Sequence, residues 1–270
     1  MVENHKVSQR RACGTLGINR TAHRYTPKLL PEDEEVERRV IDFACRYGRY
    51  GYRMVTDMYN NEAEREGKKR INHKRVYGIW RRNGLKRPEK QPKKARIWQN
   101  DGSCIRLRPE KRPNHVWSYD FIEDRTVNGR KIRWLNIYDE GRHICIASIP
   151  KRSWKNSAVI EALANAMLIH GTPEYLRSDN GPEFTAKRVI SWLGTAGVIT
   201  TFIEPGSPWE NGYVESFNAR MRDEFLNGEL FGNMYEAEVL TQRWVKEYNE
   251  IRPHSSLKGR APQSIIYAAA

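Results

Sequence analysis

Only four cysteines occur in the 270 residues, at positions 13, 45, 104 and 145, and no two form a Cys-x-x-Cys pair. Seven scattered histidines add no zinc-ligand spacing. The expectation is a set of reduced, mostly buried thiols in a cytosolic chain, not a disulfide frame. No run of about 18 apolar residues is present to span a bilayer, and the polar N-terminal stretch holds no apolar signal core. A soluble protein with no membrane partner is therefore expected. Sustained a/d heptads are missing, as is any internal repeat. Acids are also in short supply, with 33 Asp and Glu against 47 Lys and Arg, a net charge of +14 and a pI near 9.7. That excess favours a polyanionic partner through phosphate neutralisation and counterion release. Hydrophobic residues at 39% suffice for a core.

The basic residues gather towards the front of the chain. Val7 to Tyr25 reads as two short helices around a turn at Gly14 to Gly17, with Ser8 capping the first and Asn19 or Thr21 the second. With Arg10, Arg11, Arg20 and Arg24 around it, segment 1–30 fits a short helix-turn-helix. Pro31 and the acids after it start a longer helix on its positive dipole end, in which Val36, Val40, Phe43 and Ala44 recur at helical spacing. A second helix carries Met54, Val55 and Met58. Asn72 caps a third, whose apolar stripe is Val76, Ile79 and Trp80. Lys74, Arg75, Arg81 and Arg82 fall largely off that stripe, so region 31–85 reads as a DNA-binding module. From 86 to 112 ten Lys or Arg face three acids among several prolines, the mark of an extended linker.

Past residue 113 the pattern changes to strands. Val116–Ile122, Trp134–Tyr138 and Ile144–Ile149 are rich in β-formers, and Asn128-Gly129 supplies a hairpin turn between the first two. A helix at Ser157–Ile169, a strand at Glu174–Ser178, a helix at Thr185–Ala196, a strand at Val198–Phe202 and a helix from Trp209 to Phe225 follow. This order, β-β-β-α-β-α-β-α, is that of an α/β ribonuclease-H-like fold, a mixed sheet flanked by helices over 113–232. A last helix, Tyr235–Asn249, with Val239, Leu240, Trp244, Val245 and Tyr248 as its stripe, begins a C-terminal piece (233–270) that packs on the core. His254 just beyond it is expected to pack or touch phosphate.

Three acids stand out. Asp120 sits mid-strand among Trp117, Tyr119, Phe121 and Ile122, where a carboxylate is costly to desolvate and a bound cation is its natural partner. Asp179 follows a strand's C-terminal end, where α/β folds place active sites, and Asn180-Gly181 turns the chain there. Glu215 stands beside the helical stripe Val214, Phe217, Met221 and Phe225, in line with Asn218 and Arg222. Hard oxygen ligands of this kind suit Mg²⁺ or Mn²⁺, and two ions about 3.5–4 Å apart serve in-line phosphoryl displacement. Arg222 would hold a phosphate beside them. Glu123, Asp124, Asp139, Glu183 and Glu210 lack that placement and read as solvated or turn residues.

Ser118-Tyr119-Asp120, Ser178-Asp179-Asn180-Gly181, Ser207-Pro208-Trp209-Glu210-Asn211-Gly212, Glu215-Ser216-Phe217-Asn218 and the tail Tyr248 to Leu257 together resemble the integrase catalytic core of bacterial insertion-sequence transposases, within the retroviral-integrase superfamily. Thirty-five residues lie between Asp179 and Glu215, and a basic residue, Arg222, follows seven after the Glu, both as in that family. The resemblance implies that the three acids are catalytic metal ligands (the DDE set), that DNA is cut and joined at an element's ends, and that the protein works as a homo-oligomer on DNA. It also implies the product of a second reading frame, often fused to an upstream-frame protein, in the bacterial cytoplasm at the nucleoid. Two other readings stay open: a hydrolytic nuclease of the same fold, such as a ribonuclease H, and a non-catalytic DNA-binding partner of a fused transposase.

Overall fold

The structure, a computed structural model, describes residues 7–24, 31–87, 109–179, 181, 186–202 and 211–268. Most of the expected linker, and the stretch holding Glu183, Glu210 and Ser207-Pro208-Trp209, lie outside the described residues. So does Cys104.

The front of the chain is helical as its caps require. Ser8 Oγ accepts from the Arg11 amide (3.4 Å) at the start of α1 (Gln9–Thr15), and Asn19 Oδ1 accepts from Thr21 N (2.8 Å) ahead of α2 (Arg20–Arg24). Helices α3 (Pro31–Arg46), α4 (Tyr52–Arg65) and α5 (His73–Arg82) form a separate bundle around Val36, Val40, Val55, Met58, Val76, Ile79 and Trp80. Asn60 locks the α4–α5 turn, accepting from the Ile71 amide (2.8 Å) and donating to the Ile71 carbonyl (3.1 Å). Asn72 accepts from Lys74 N (3.0 Å), so the expected cap is in place.

Beyond residue 113, β1 (Val116–Arg125) is the centre of a five-stranded sheet ordered β3-β2-β1-β4-β5. The strands β2 (Lys131–Asp139) and β3 (Ile144–Lys151) join antiparallel on one side. On the other side β4 (Tyr175–Ser178) and β5 (Ile199–Phe202) run parallel. Alternation along a strand sends successive side chains to opposite faces. Trp117 and Tyr119, with Leu135, Ile137 and Leu176, pack under α6 (Asn156–His170) and α7 (Lys187–Thr195). The opposite face, with Ile132, Trp134 and Tyr138, packs against α8 (Gly212–Glu224) and α9 (Met234–Glu250) through Val214, Phe217, Met221, Trp244 and Tyr248. The element order β1-β2-β3-α6-β4-α7-β5-α8 matches the expected ribonuclease-H-like arrangement.

Two expectations need correction. On α9 the fully buried edge is Ala237, Thr241 and Tyr248, while Val239 is 45% exposed. The indole N–H of buried Trp134 needs an acceptor and finds Thr241 Oγ1 at 2.8 Å, which turns that edge inward. Asp139 is not solvated; it is fully buried, accepting from Arg142 Nε (2.8 Å), Arg142 N (3.0 Å) and Asn114 N (3.2 Å). Helix α8 runs Gly212–Glu224, and the start expected near Trp209 lies outside the described residues. The described cysteines are free and mostly buried, as expected: Cys13 and Cys145 are buried and Cys45 is exposed. His254 packs as expected, 5% exposed and stacked on His143 with ring centroids 4.6 Å apart.

The helical bundle sits against the sheet domain. Arg252 forms a fork with Glu224 (Nε to Oε2, 2.6 Å) and lies over the rings of Tyr50 and Tyr248. Arg49 pairs with Asp223, Arg46 with Glu247 (3.2 Å), and Asn61 donates to the Gly259 carbonyl (3.0 Å). Ile251 inserts into the bundle's own core. Among the described residues no helix is long and apolar enough to cross a membrane.

Candidate active site

The sheet sets two of the acids level by register. Ser118 on β1 lies beside Arg177 on β4, in parallel. Carrying that register on by two residues sets Asp179, the first residue past β4, level with Asp120. Asp179 Oδ1 accepts from the Gly181 amide two residues on (3.0 Å). Asp120 belongs to the β1 face turned towards α8, because Trp117 and Tyr119 occupy the other. Glu215 lies in the first turn of α8, solvent-exposed, beside the buried Val214.

Their electrostatics are shared. Burial pushes the Asp120 carboxyl up to about 6, against hydrogen bonding from the Phe121 amide, and the negative charges of Asp179 and Glu215 push the same way. Partial burial also raises Glu215. Asp120 is not the bare carboxylate its strand context suggested. Its Oδ1 accepts from Phe121 N (2.7 Å) and its Oδ2 from Asn218 Nδ2 (2.9 Å). Among the described residues no three His, Cys, Asp or Glu side chains are drawn close enough to hold an ion as they stand. The donor set nonetheless fits a hard divalent cation. All three groups are carboxylates, and their mutual repulsion at Asp120 is what a cation would relieve.

Helix α8 meets β1 at two rungs. Asn218 reaches Asp120, and one turn on Arg222 closes onto Asp124, with a further bond to the Glu123 carbonyl. Asp124, set aside as solvated, is thus the partner of Arg222. The DNA-binding candidates on α5 divide in two. Arg75 pairs with Asp33 and Arg82 with Glu37 (3.0 Å), both on α3. Lys74 and Arg81 are exposed and make no ion pair among the described residues, and they flank an exposed Tyr77 (45%) and Gly78 at helical spacing. Tyr77 was legible only as a residue off the apolar stripe. A buried fork between Arg177 and Glu140 (3.0 and 3.2 Å) had no signal in the sequence.

The integrase core domain family matches residues 110–208, a second integrase core family matches 196–262, and an HTH-like domain family matches 31–94. An insertion element IS407 protein of Burkholderia multivorans is 34% identical over 260 residues, covering 96% of this chain and 91% of its own length. This chain belongs to the insertion-sequence transposases with an integrase-type core. An insertion element IS476 protein of Xanthomonas euvesicatoria is also 34% identical, over 97% of this transposase and 73% of the relative. The transposase of insertion sequence element IS904 from Lactococcus lactis is 24% identical over 86% and 96% of the two chains. In fold, the transposase is similar to a chain of a simian T-cell lymphotropic virus intasome, with a TM-score of 0.52 at 16% identity, over 72% of this chain and 66% of that one.

Proposed function

We propose that this transposase cuts and joins DNA at the ends of an insertion element, with Asp120, Asp179 and Glu215 as ligands of a divalent cation, Mg²⁺ or Mn²⁺, two per site. The observation that carries this is the parallel β1–β4 register, which carried on by two residues sets Asp179 level with Asp120 at the rim of an integrase-type sheet, with Asp120 held by Asn218 of the helix that bears Glu215. Bound there, the cations would neutralise charge on the attacking and leaving oxygens of a phosphodiester. A water oxygen attacks phosphorus and the P–O3′ bond breaks, leaving a 3′-hydroxyl on the element end. That hydroxyl then attacks a target phosphodiester and displaces its 3′-oxygen in turn. The protein's part is to present the three carboxylates, to keep Asp120 oriented through Asn218, and to hold phosphate near Arg222. Region 31–85 supplies DNA binding, its α5 face of Lys74 and Arg81 meeting the duplex, with Arg75 and Arg82 behind it.

Joining two ends fits a homo-oligomer on DNA, and fusion to an upstream-frame protein is an open element of this reading, tested by comparing the chain with and without the fused partner. The matches to insertion-element proteins and to an HTH-like module do not favour a stand-alone hydrolytic nuclease or an inert binder. Strand transfer on end-containing duplexes with Mg²⁺ is the deciding assay: Asp179→Asn and Glu215→Gln are each expected to abolish joined product. Full activity in either would end the proposal.

A further inference from the structure

One row of side chains across the α8-facing side of the sheet breaks its apolar pattern. Asp120 on β1 stands directly opposite Asn136 on β2, and Asn136 directly opposite Ser148 on β3. The neighbours of Asn136 in the strand, Trp134, Leu135, Ile137 and Tyr138, are apolar or aromatic and at most 1% exposed, and Asn136 itself is 0% exposed. A buried amide in such a place is costly unless fully hydrogen-bonded. It is bonded at both ends. Ser148 Oγ donates to Asn136 Oδ1 (2.6 Å), and Asn136 Nδ2 donates to Asn218 Oδ1 (2.7 Å). Asn218, 9% exposed, then donates from Nδ2 to Asp120 Oδ2 (2.9 Å).

The direction of this chain is set at its Asp120 end. A carboxylate only accepts, so Asn218 must turn its NH₂ to Asp120 and its carbonyl to the Asn136 NH₂, which leaves Asn136 Oδ1 to accept from the Ser148 hydroxyl. An amide turned the other way would present its oxygen to a carboxylate. The same bonds tie α8, which carries Glu215, to β1, which carries Asp120.

We infer that Asn136 and Ser148 are positioning residues of the catalytic centre: acting through Asn218, they pin one oxygen of Asp120 and fix the spacing of β1 from α8, so that Asp120 and Glu215 are held ready for a shared divalent cation. This rests on the reading of Asp120 as a metal ligand. Outer residues that orient metal-ligating carboxylates typically change metal affinity about 10- to 100-fold when lost.

The test uses the full-length protein and Mn²⁺ alone, with free Mn²⁺ counted by electron paramagnetic resonance. Asn136→Leu keeps the side-chain branching in an apolar neighbourhood but removes the donor to Asn218. It is expected to weaken Mn²⁺ binding by roughly 10- to 100-fold. The half-saturating Mn²⁺ concentration for end cleavage should rise in step, with the rate at saturating Mn²⁺ returning towards wild type. Ser148→Ala should weaken binding in the same direction, and Ser148→Thr, which keeps the hydroxyl, should restore it. Should Asn136→Leu not fold, the Ser148 pair carries the test alone. Asp120→Asn is the reference and should lose Mn²⁺ binding outright. Wild-type affinity in Asn136→Leu or Ser148→Ala, with binding lost in Asp120→Asn, overturns the relay alone. Wild-type affinity in Asp120→Asn overturns the ligand reading itself.

Discussion

Arg222 on α8 closes onto Asp124 of β1, one helical turn beyond the bond from Asn218 to Asp120. The helix that carries Glu215 is therefore fastened to the central strand at two points on one edge. A guanidinium proposed to hold a phosphate thus has an internal partner, and the two roles are separable. The pair is partly exposed, so breaking it should cost no more than about 1 kcal/mol. Arg222→Ala is expected to melt within a few degrees of wild type yet to lose most strand transfer. Reversing the pair, Arg222→Asp with Asp124→Arg, should recover the melting temperature and not the activity. Recovery of strand transfer in the reversed pair would reduce Arg222 to a strut.

Asp120 is expected to burden the metal-free fold. Its carboxyl is raised from 3.8 to about 6, chiefly by burial and then by Asp179 and Glu215. The folded state thus holds this proton more tightly than the unfolded chain does. Its contribution is favourable below about pH 4 and is lost as pH rises from there through 6. At pH 8 in chelator, Asp120→Asn should be more stable than wild type by on the order of 1–3 kcal/mol, at about 1.4 kcal/mol per unit of pKa. The difference should shrink towards zero near pH 4, and added Mn²⁺ should raise the melting temperature of wild type alone. Thermal melts across pH check this. A variant that melts at or below wild type at pH 8 would show that Asp120 carries no such strain.

Part of the proposed centre stands out in the sequence. Asp120, Asp179 and Glu215 are its candidates because each draws notice locally: an acid in a strand, an acid at the turn after a strand, an acid beside an apolar helical stripe. The helical caps at Ser8, Asn19 and Asn72 were legible because capping is local. The partners were not. Nothing in the sequence singles out Asn136 within the strand Trp134–Tyr138, and only the strand register shows that it stands between Asp120 and Ser148. Asp139 lies at the strand end facing a turn, where solvation is the ordinary outcome, and its burial depends on Asn114 and Arg142 folding over it. Arg177 and Glu140 are 37 residues apart, and no periodicity links them. The α9 stripe slipped because a hydroxyl, Thr241, is drawn inward by an indole on β2.

On α5, charge alone does not mark the DNA-facing residues. Arg75 and Arg82 are tied to Asp33 and Glu37, whereas Lys74 and Arg81 have no such tie among the described residues. Lys74→Ala and Arg81→Ala should each weaken binding to an end-containing duplex and flatten the plot of log affinity against log salt by about one unit. Arg75→Ala and Arg82→Ala should move that slope less. Fluorescence anisotropy at several salt concentrations separates the pairs. Equal slopes in all four variants would place the duplex elsewhere.

Gly259 is where the C-terminal piece meets the helical bundle most closely. Its φ is +78°, and a Cβ there would lie 2.7 Å from the Asp57 carboxyl carbon and under 3.0 Å from both its oxygens. Asp57 is part-buried, and its carboxyl is the group that would have to give way. The Gly259 carbonyl also receives Asn61, so backbone movement would break a bond between the two parts. Gly259→Ala combines left-handed strain with this clash and should cost on the order of 1–3 kcal/mol. Gly228, with nothing within 4 Å of its Cβ position and no positive φ, is the matched control and should tolerate alanine. Because the damage falls at the junction, limited proteolysis should release the bundle from the sheet domain sooner in Gly259→Ala, with Mn²⁺ affinity unchanged. A melting temperature equal to that of Gly228→Ala would mean that the junction yields without cost.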